Sequence, residues 1–213
     1  MNTNAKIYPN VQLGDGSVVG DFSIVGLPPR GREPGELKTE IGAGAVLRSH
    51  TVIYAGNVIG DNFQTGHGVM IREENEIGRD VSIGTGSVVE HHVKIGNHVR
   101  IHSQAFVPEY SILEDGCWIG PNVVVTNALH PLCPKAKECL KGATIRRGAK
   151  VGANATLLPD IEIGTDALVG AGSVVVKDVP ARAVVTGNPA QIVKTIDALR
   201  CPYALCEKPY SNE

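Results

Sequence analysis

The chain has 213 residues, of which 42% are hydrophobic and only 4% aromatic, and its formal net charge at pH 7 is -2. Charges of both signs are interspersed, so the sequence offers no basic stripe for nucleic acid. No apolar stretch approaches the roughly 18 residues that a membrane span requires, and residues 1–10 lack the charged start and apolar run of a signal peptide. We therefore expect a soluble cytoplasmic protein with no nucleic-acid partner and no membrane span.

Aliphatic residues return every six positions along most of the chain. The longest run begins at Ile41 and reaches Val125, with Thr65 as its lapse, and the residue four places after each repeat position is mostly small or slim, as at Ala45 and Val69. A period of six is typical of a solenoid in which each unit forms one short strand and a corner, and stacked units bury a shared core. The predicted fold class is all-β, a parallel β-helix built from hexapeptide repeats.

Breaks in the period define the organisation of the chain. The repeat is interrupted near residues 27–40, which are rich in proline and glycine, and again near 129–142, so both segments are predicted loops. Apolar residues of 189–200 recur at helical spacing after a proline, which predicts a short C-terminal α-helix. We expect residues 1–188 to form the β-helix domain and residues 189–213 to form the helix and a tail.

Three motifs near the end of the repeats add to this pattern: VGAGSVV at 169–175, KDVP at 177–180 and GNPA at 187–190. Together with the repeats, which cover nearly the whole chain, they resemble the left-handed β-helix hexapeptide acyltransferases. The resemblance implies left-handed winding, a homotrimer, and acetyl-CoA as acyl donor in the cleft between neighbouring subunits. The segment NFQTGHGV at 62–69 is similar to enzymes that acetylate amino groups on nucleotide-linked sugars.

The implied function is acetyl-CoA-dependent N-acetyl transfer to a UDP- or dTDP-linked amino sugar, in polysaccharide biosynthesis. An O-acetyltransferase acting on a sugar or serine hydroxyl is the main alternative. A non-catalytic solenoid scaffold and a metalloenzyme resembling the γ-class carbonic anhydrases are further alternatives, although the histidine spacing of that class is missing here.

One column of corner residues suggests the catalytic centre. If three hexapeptides make one coil, residues eighteen apart lie above one another at about 4.8 Å, and one such column contains Glu73, His91, Glu109 and Asn127. A histidine oriented by a carboxylate is a suitable general base at neutral pH. We predict that His91 is the base and that Glu109 or Glu73 orients it.

A second histidine competes for this role. The segment NALHP at 127–131 resembles the galactoside and maltose acetyltransferases, in which the catalytic histidine precedes a proline, and this makes His130 the rival base. A third alternative has no enzymic base at all, with the departing sulfur taking the proton.

Substrate contacts are predicted at Glu73, Arg72, His67, Gln104 and Asn127. Arg30 and Arg32 in the first loop are candidates for contacts with a nucleotide diphosphate. The resemblance implies that backbone groups near Ala153 and Ala171 pair with the pantetheine arm of coenzyme A, while Lys177, Arg182 or Lys194 meets its phosphates. His50, His92, His98 and His102 are expected to be solvated corner residues.

The five cysteines are treated separately. Cys117 falls on the small inner row and is expected to pack in the core. Cys133 and Cys139 lie in the second loop and Cys201 and Cys206 in the tail; free thiols are favoured, with a four-thiolate zinc site or disulfides as alternatives. No metal is assigned.

Overall fold

The computed structural model describes residues 4–210, so the first three residues and the last three of the predicted tail lie outside the described part. The strands, numbered in chain order, are β1 (Lys6–Ile7), β2 (Val11–Leu13), β3 (Val18–Val19), β4 (Ile24–Leu27), β5 (Thr39–Ile41), β6 (Val46–Leu47), β7 (Val52–Tyr54), β8 (Val58–Ile59), β9 (Gln64–Thr65), β10 (Met70–Ile71), β11 (Glu76–Ile77), β12 (Ser82–Ile83), β13 (Val88–Val89), β14 (Lys94–Ile95), β15 (Arg100–Ile101), β16 (Phe106–Val107), β17 (Ile112–Leu113), β18 (Trp118–Ile119), β19 (Val124–Val125), β20 (Thr144–Ile145), β21 (Lys150–Val151), β22 (Thr156–Leu157), β23 (Glu162–Ile163), β24 (Leu168–Val169), β25 (Val174–Val175), β26 (Ala183–Gly187) and β27 (Ala190–Thr195). Two short 3-10 helices span Ala136–Glu138 and Ile196–Ala198.

Three sheets form the sides of a prism. Sheet A has the order β1-β4-β7-β10-β13-β16-β19-β22-β25, sheet B the order β2-β5-β8-β11-β14-β17-β20-β23, and sheet C the order β3-β6-β9-β12-β15-β18-β21-β24-β26-β27. The register pairs Met70 with Val88, eighteen residues later, so three strands complete one coil. The corners where the chain passes from A to B, from B to C and from C to A are called the A–B, B–C and C–A edges.

The repeat positions supply the core. The second residue of each short strand points inward, and Ile53, Ile71 and Val89 are fully buried between smaller residues such as Ala45 and Val69. Successive side chains of a strand face opposite ways, so the first residue of each strand faces outward. A narrow interior filled by aliphatic side chains explains why so few aromatic residues are needed.

The polar residues of the inner row are bonded within the core. Thr65, the lapse in the repeat, has its hydroxyl 2.8 Å from that of Thr51 and accepts the Arg48 N–H at 3.0 Å. Within residues 4–210, every buried side-chain nitrogen or oxygen has a hydrogen-bond partner. The interior therefore tolerates polar side chains because the corner backbone provides partners for them.

Both long loops leave the prism at the A–B edge. The first connects β4 of sheet A to β5 of sheet B through residues 28–38, and the second connects β19 to β20 through residues 126–143. The corners between these two loops, beginning with the one after β7, are short. The A–B edge is thus a row of tight corners with a loop at either end.

The predicted C-terminal α-helix is wrong. Residues 190–195 form strand β27, which pairs antiparallel with β26, and only Ile196–Ala198 adopt a 3-10 helix. β26 extends sheet C in parallel with β24 and leaves a free edge that β27 occupies. Because Ile192 and Val193 are β-branched, they favour this extended pairing over a helix. No helix within residues 4–210 is long and apolar enough to cross a membrane.

Candidate active site

The A–B edge stacks the column Glu73, His91, Glu109 and Asn127 on successive coils. These residues follow β10, β13, β16 and β19, whose strands are paired in parallel register. The tight corners bring neighbouring side chains within contact distance, since adjacent strands lie only about 4.8 Å apart. Acid, base and amide groups therefore share one surface.

His91 lies in the middle of this column with its side chain 25% exposed. Its Nε2 lies 3.6 Å from Oε1 of Glu109, and its Nδ1 lies 2.9 Å from Nδ1 of His92. The ring of Tyr110 stands edge-on at 6.0 Å between centroids. A distance of 3.6 Å exceeds a hydrogen bond, so Nε2 is near a carboxylate without being bonded to it.

Glu109 is oriented by an amide. Asn127 Nδ2 donates to Oε2 of Glu109 at 2.7 Å, and the Asn127 carbonyl accepts the N–H of Lys141 at 2.9 Å. Asn127, predicted as a substrate contact, therefore fixes the carboxylate that faces His91. It also connects this carboxylate to the end of the second loop.

Arg72 is held by carboxylates of its own chain. Its Nε and Nη2 donate to Glu73, each at 2.9 Å, and Nη1 donates to Glu90 at 3.2 Å. The guanidinium also lies 5.0 Å from the centroid of the Tyr54 ring. These hydrogen bonds to Glu73 raise the pKa of Arg72 above its ordinary value. In this arrangement the guanidinium organises the acidic groups of the edge.

The two carboxylates on Arg72 have opposite pKa shifts. Burial raises the pKa of Glu73, but the hydrogen bonds from Arg72 and its charge, with His91 nearby, outweigh this and bring it below its ordinary 4.5. Burial raises the pKa of Glu90 above 4.5; Arg72 opposes the shift, and repulsion from Glu109 adds to it. Glu73 is thus the stable anion, and Glu90 is the carboxylate closer to protonation.

A buried pair of asparagines supports this corner from inside. Asn57 Nδ2 donates to the carbonyls of Tyr54 and Arg72 at 2.7 and 2.8 Å, and Asn75 Nδ2 donates to the same Arg72 carbonyl at 2.9 Å. The Oδ1 of Asn75 accepts the N–H of Val93 at 2.7 Å. These bonds fix the backbone that carries Arg72.

His130 lies in the second loop and is exposed. It lines a small pocket of about 40 Å³ together with Cys133 and Cys139. Within residues 4–210, its side chain forms no hydrogen bond or ion pair, in contrast to His91. The structure therefore gives His130 no orienting partner.

The remaining predicted residues are distributed over other parts of the surface. His67, Gln104, Ala153 and Ala171 lie at the C–A edge, where His67 Nδ1 is 2.9 Å from the Ser49 hydroxyl. One chain does not bring these residues to His91.

The predicted phosphate contacts are similarly dispersed. Lys177 follows β25 on the A–B edge and Lys194 is exposed on β27, whereas Arg182 lies at the B–C edge, paired with Asp197. In the first loop Arg30 is exposed and Arg32 is paired with Glu36. The coenzyme contacts therefore do not form one surface within a chain.

Four residues of the cluster escaped the sequence-based assignment: Tyr54, Glu74, Glu90 and His92. Tyr54 and Glu90 share the column of Arg72, and Glu74 and His92 share the neighbouring column, so the eighteen-residue spacing was the signal that could have found them. His92, expected to be solvated, instead contacts His91 directly.

Within residues 4–210, no two cysteines are joined by a disulfide. Cys117 is buried as predicted, and burial raises the pKa of its thiol to about 12. Within residues 4–210, no group of three histidine, cysteine, aspartate or glutamate side chains is arranged to hold a metal ion.

Comparisons with known proteins support the hexapeptide repeat identified in the sequence. The family model described as bacterial transferase hexapeptide (six repeats) matches residues 76–109 and 142–177. The chain is 43% identical over 79 residues to a 2,3,4,5-tetrahydropyridine-2,6-dicarboxylate N-acetyltransferase from Clostridium perfringens, a match covering 37% of this chain and 31% of the relative. It is 37% identical over 109 residues to a serine acetyltransferase from Buchnera aphidicola, covering 47% of this chain and 40% of the relative. The matches thus span less than half the length of these curated relatives.

A solved structure supports the fold over a longer range. The UDP-N-acetylglucosamine acyltransferase from Bacteroides fragilis superposes with a TM-score of 0.61 at 15% identity, covering 92% of this chain and 74% of that one. At this identity the likeness concerns the fold, and it confirms the predicted left-handed β-helix. The chain thus shares the fold of that acyltransferase, and its residues 76–109 and 142–177 match the family model of the bacterial transferase hexapeptide repeats.

Proposed function

We propose that the chain is an acetyl-CoA-dependent N-acetyltransferase that acts on the amino group of a nucleotide-linked amino sugar. The observation that carries the proposal is the placement of His91 Nε2 beside Glu109 on an accessible edge. The matched relatives, whose names describe acetyl transfer to nitrogen and to serine, support acyl transfer as the reaction class.

The charge of the edge favours an amine acceptor. Glu73 and Glu90 contact the guanidinium of Arg72 and Glu109 lies beside His91, so three carboxylates accompany one guanidinium and the cluster is acidic. Such a surface attracts an ammonium group more strongly than a neutral hydroxyl. An acceptor with a positively charged amine is therefore guided to the column that contains His91.

The residues then perform acid–base work. Acetyl-CoA supplies the acetyl group as a thioester. An acceptor that arrives as an ammonium ion first releases one proton to solvent. His91 Nε2 then takes a proton from the neutral amine nitrogen as the new C–N bond forms, and it delivers that proton to the departing sulfur as the C–S bond breaks. Glu109 stabilises the positive charge that His91 carries in between. A backbone N–H of the edge suffices to stabilise the developing oxyanion.

A homotrimer would complete the donor site. The outward residues of sheet A include an apolar row, Val52, Met70, Val88, Phe106 and Val124, of which Met70 and Val124 are more than a third exposed. Sheet A lies between the A–B and C–A edges. If subunits pack through sheet A, both edges border the cleft between neighbouring subunits. This supports a trimer in which Ala153 and Ala171 of one chain serve a site completed by another, in the cytoplasm where acetyl-CoA is made.

A panel of acceptors tests the proposal. Release of coenzyme A thiol is measured with UDP- and dTDP-linked 3-amino and 4-amino sugars, with galactosides and serine as hydroxyl controls. Turnover with an amino sugar nucleotide supports the proposal. Turnover only with the hydroxyl controls would make the chain an O-acetyltransferase, the function that the exposed His130–Pro131 segment and the serine acetyltransferase relative favour.

Two matched variants identify the base. His91→Gln is expected to lower kcat/KM by roughly 10²–10⁴, the usual loss for a general base, while His130→Gln stays within about threefold of wild type. Both substitutions replace an imidazole with an amide of similar polarity. Comparing them therefore shows which of the two histidines is needed for proton transfer. A large loss with His130→Gln and a small one with His91→Gln would transfer the role of base to His130.

A further inference from the structure

His91 and His92 form a hydrogen-bonded pair. Their Nδ1 atoms lie 2.9 Å apart, and the rings meet edge-on with centroids 4.9 Å apart. When both rings are neutral, each carries one proton, so one Nδ1 donates and the other accepts. The contact therefore couples the tautomer of each ring to that of its neighbour.

Carboxylates stand at both ends of the pair. Glu109 Oε1 lies 3.6 Å from Nε2 of His91, and Glu74 Oε2 lies 3.6 Å from Nε2 of His92. Glu109 already accepts a hydrogen bond from Asn127 at 2.7 Å. Within residues 4–210, Glu74 has His92 as its only charged or hydrogen-bonding partner. At 3.6 Å neither carboxylate is hydrogen-bonded to its ring, but the charge of Glu74 is the less compensated of the two, so it favours a proton on Nε2 of His92 and leaves Nδ1 of His92 to accept from His91.

We infer that His92, backed by Glu74, is a positioning residue that holds the proton of neutral His91 on Nδ1 and leaves Nε2, facing Glu109, as the proton acceptor. This inference rests on the proposed function of His91 as the base. The acceptor's N–H bond breaks as the Nε2–H bond forms, and Nδ1–H continues to donate to His92 throughout. A ring fixed in this way needs no rotation or tautomer exchange before it reacts.

The tautomer can be measured without activity. The full chain is labelled with ¹⁵N-histidine and the ring nitrogens are recorded in alkaline solution, where imidazole is neutral, with His91→Gln used to assign the signals. Nδ1 of His91 is expected to be protonated and Nε2 unprotonated. In His92→Leu, the His91 signals should shift toward the Nε2–H form.

Matched variants separate positioning from folding. His92 has a φ of 57° in the left-handed region, and His98 has the same φ at the B–C edge, with its own carboxylate partner Asp80 at 3.5 Å. His98→Leu therefore reproduces the backbone strain of His92→Leu away from the site. His92→Asn keeps an acceptor in a residue that tolerates this φ.

Kinetics supply the second readout. His92→Leu is expected to lower kcat by about tenfold to 100-fold with KM nearly unchanged, which is less than the loss of the base itself. His92→Asn should restore most of kcat, and His98→Leu should leave it unchanged. An Nε2–H form of His91 in the wild type would overturn the inference, and so would an unchanged kcat in His92→Leu. Failure of wild type to acetylate any acceptor would count against the proposed function, while the ¹⁵N spectra would still decide the tautomer.

Discussion

Replacing Asn75 by valine tests whether the buried asparagines support the site. Asn75 is 1% exposed, donates to the Arg72 carbonyl at 2.9 Å and accepts the Val93 N–H at 2.7 Å. Asn75→Val leaves the Val93 N–H buried without its acceptor, which costs about 1–3 kcal/mol. The Arg72 carbonyl keeps its bond from Asn57 at 2.8 Å, so the corner is loosened without being released.

The measurements are urea unfolding and kcat/KM on the preferred acceptor, made well below the unfolding transition. We expect Asn75→Val to lower kcat/KM by about tenfold, less than the roughly 10²-fold that a 1 Å displacement can cost. Ser87→Ala is the matched control, because the buried Ser87 also donates to a carbonyl, that of His102, and accepts an N–H, that of Ala105, but at the C–A edge. It should lose similar stability but keep the wild-type kcat, because the proposed reacting groups lie at the A–B edge.

Two results would refute this reasoning. If Asn75→Val unfolds at the wild-type urea concentration, the cost assigned to the orphaned Val93 N–H is wrong. If it loses stability as Ser87→Ala does but retains full kcat/KM, the asparagine ladder supports only the fold and does not position Arg72.

Two further comparisons use stability alone. Because the folded pKa of Glu73 is lowered, its ionised form stabilises the fold above its ordinary 4.5, and Glu73→Gln should lose stability at pH 7 but converge with wild type in urea unfolding as pH falls below that value. The effect of Glu90 has the opposite sign, since its raised pKa makes ionisation destabilising above pH 4.5. The stability of Glu90→Gln relative to wild type should therefore increase as pH rises above 4.5, and a decrease would contradict the assignment. A Cβ on Gly84 would lie 2.4 Å from the Ser103 nitrogen, so Gly84→Ala should lower Tm sharply. Gly68 has a φ of +63° with open space around it, so Gly68→Asn should leave Tm nearly unchanged, and equal losses would refute the steric account.

The repeat predicted the coil because a period of six and a column spacing of eighteen are properties of the backbone path. The C-terminal segment was mispredicted because its structure depends on a partner strand elsewhere in the chain. Spacing among Ile192, Val193 and Ile196 fits a helical face, but the free edge of β26 offers a strand partner that no local pattern reveals. Tertiary pairing decided that segment, as it often does for short β-branched stretches.

The columns placed the groups of the site on one edge but did not determine their contacts. Glu109 was expected to orient His91, whereas the short contact to the ring comes from His92, the next residue in the chain. Corner conformation explains the difference. His92 has positive φ, which turns its side chain back toward His91, and spacing alone carries no information about that turn.

The A–B and B–C edges both carry polar side chains, but they differ in whether those side chains bond the corner backbone. At the B–C edge, outward side chains are used to bond corner backbone: Asp61 Oδ1 accepts the Ala43 N–H and Asp115 Oδ1 accepts the Asn97 N–H, each at 2.7 Å. Those carboxylates are occupied by the fold.

At the A–B edge the same task is performed from inside. Asn57 accepts the Asn75 N–H at 3.0 Å and Asn75 accepts that of Val93, and both side chains are buried. The outward side chains of Glu73 and His91 are therefore not required by the corner backbone of the next coil. Because buried polar groups must be bonded somewhere, asparagines in the inner row take over the bonding of the corner backbone. The imidazole and carboxylates of the outer row are therefore left available to face a ligand.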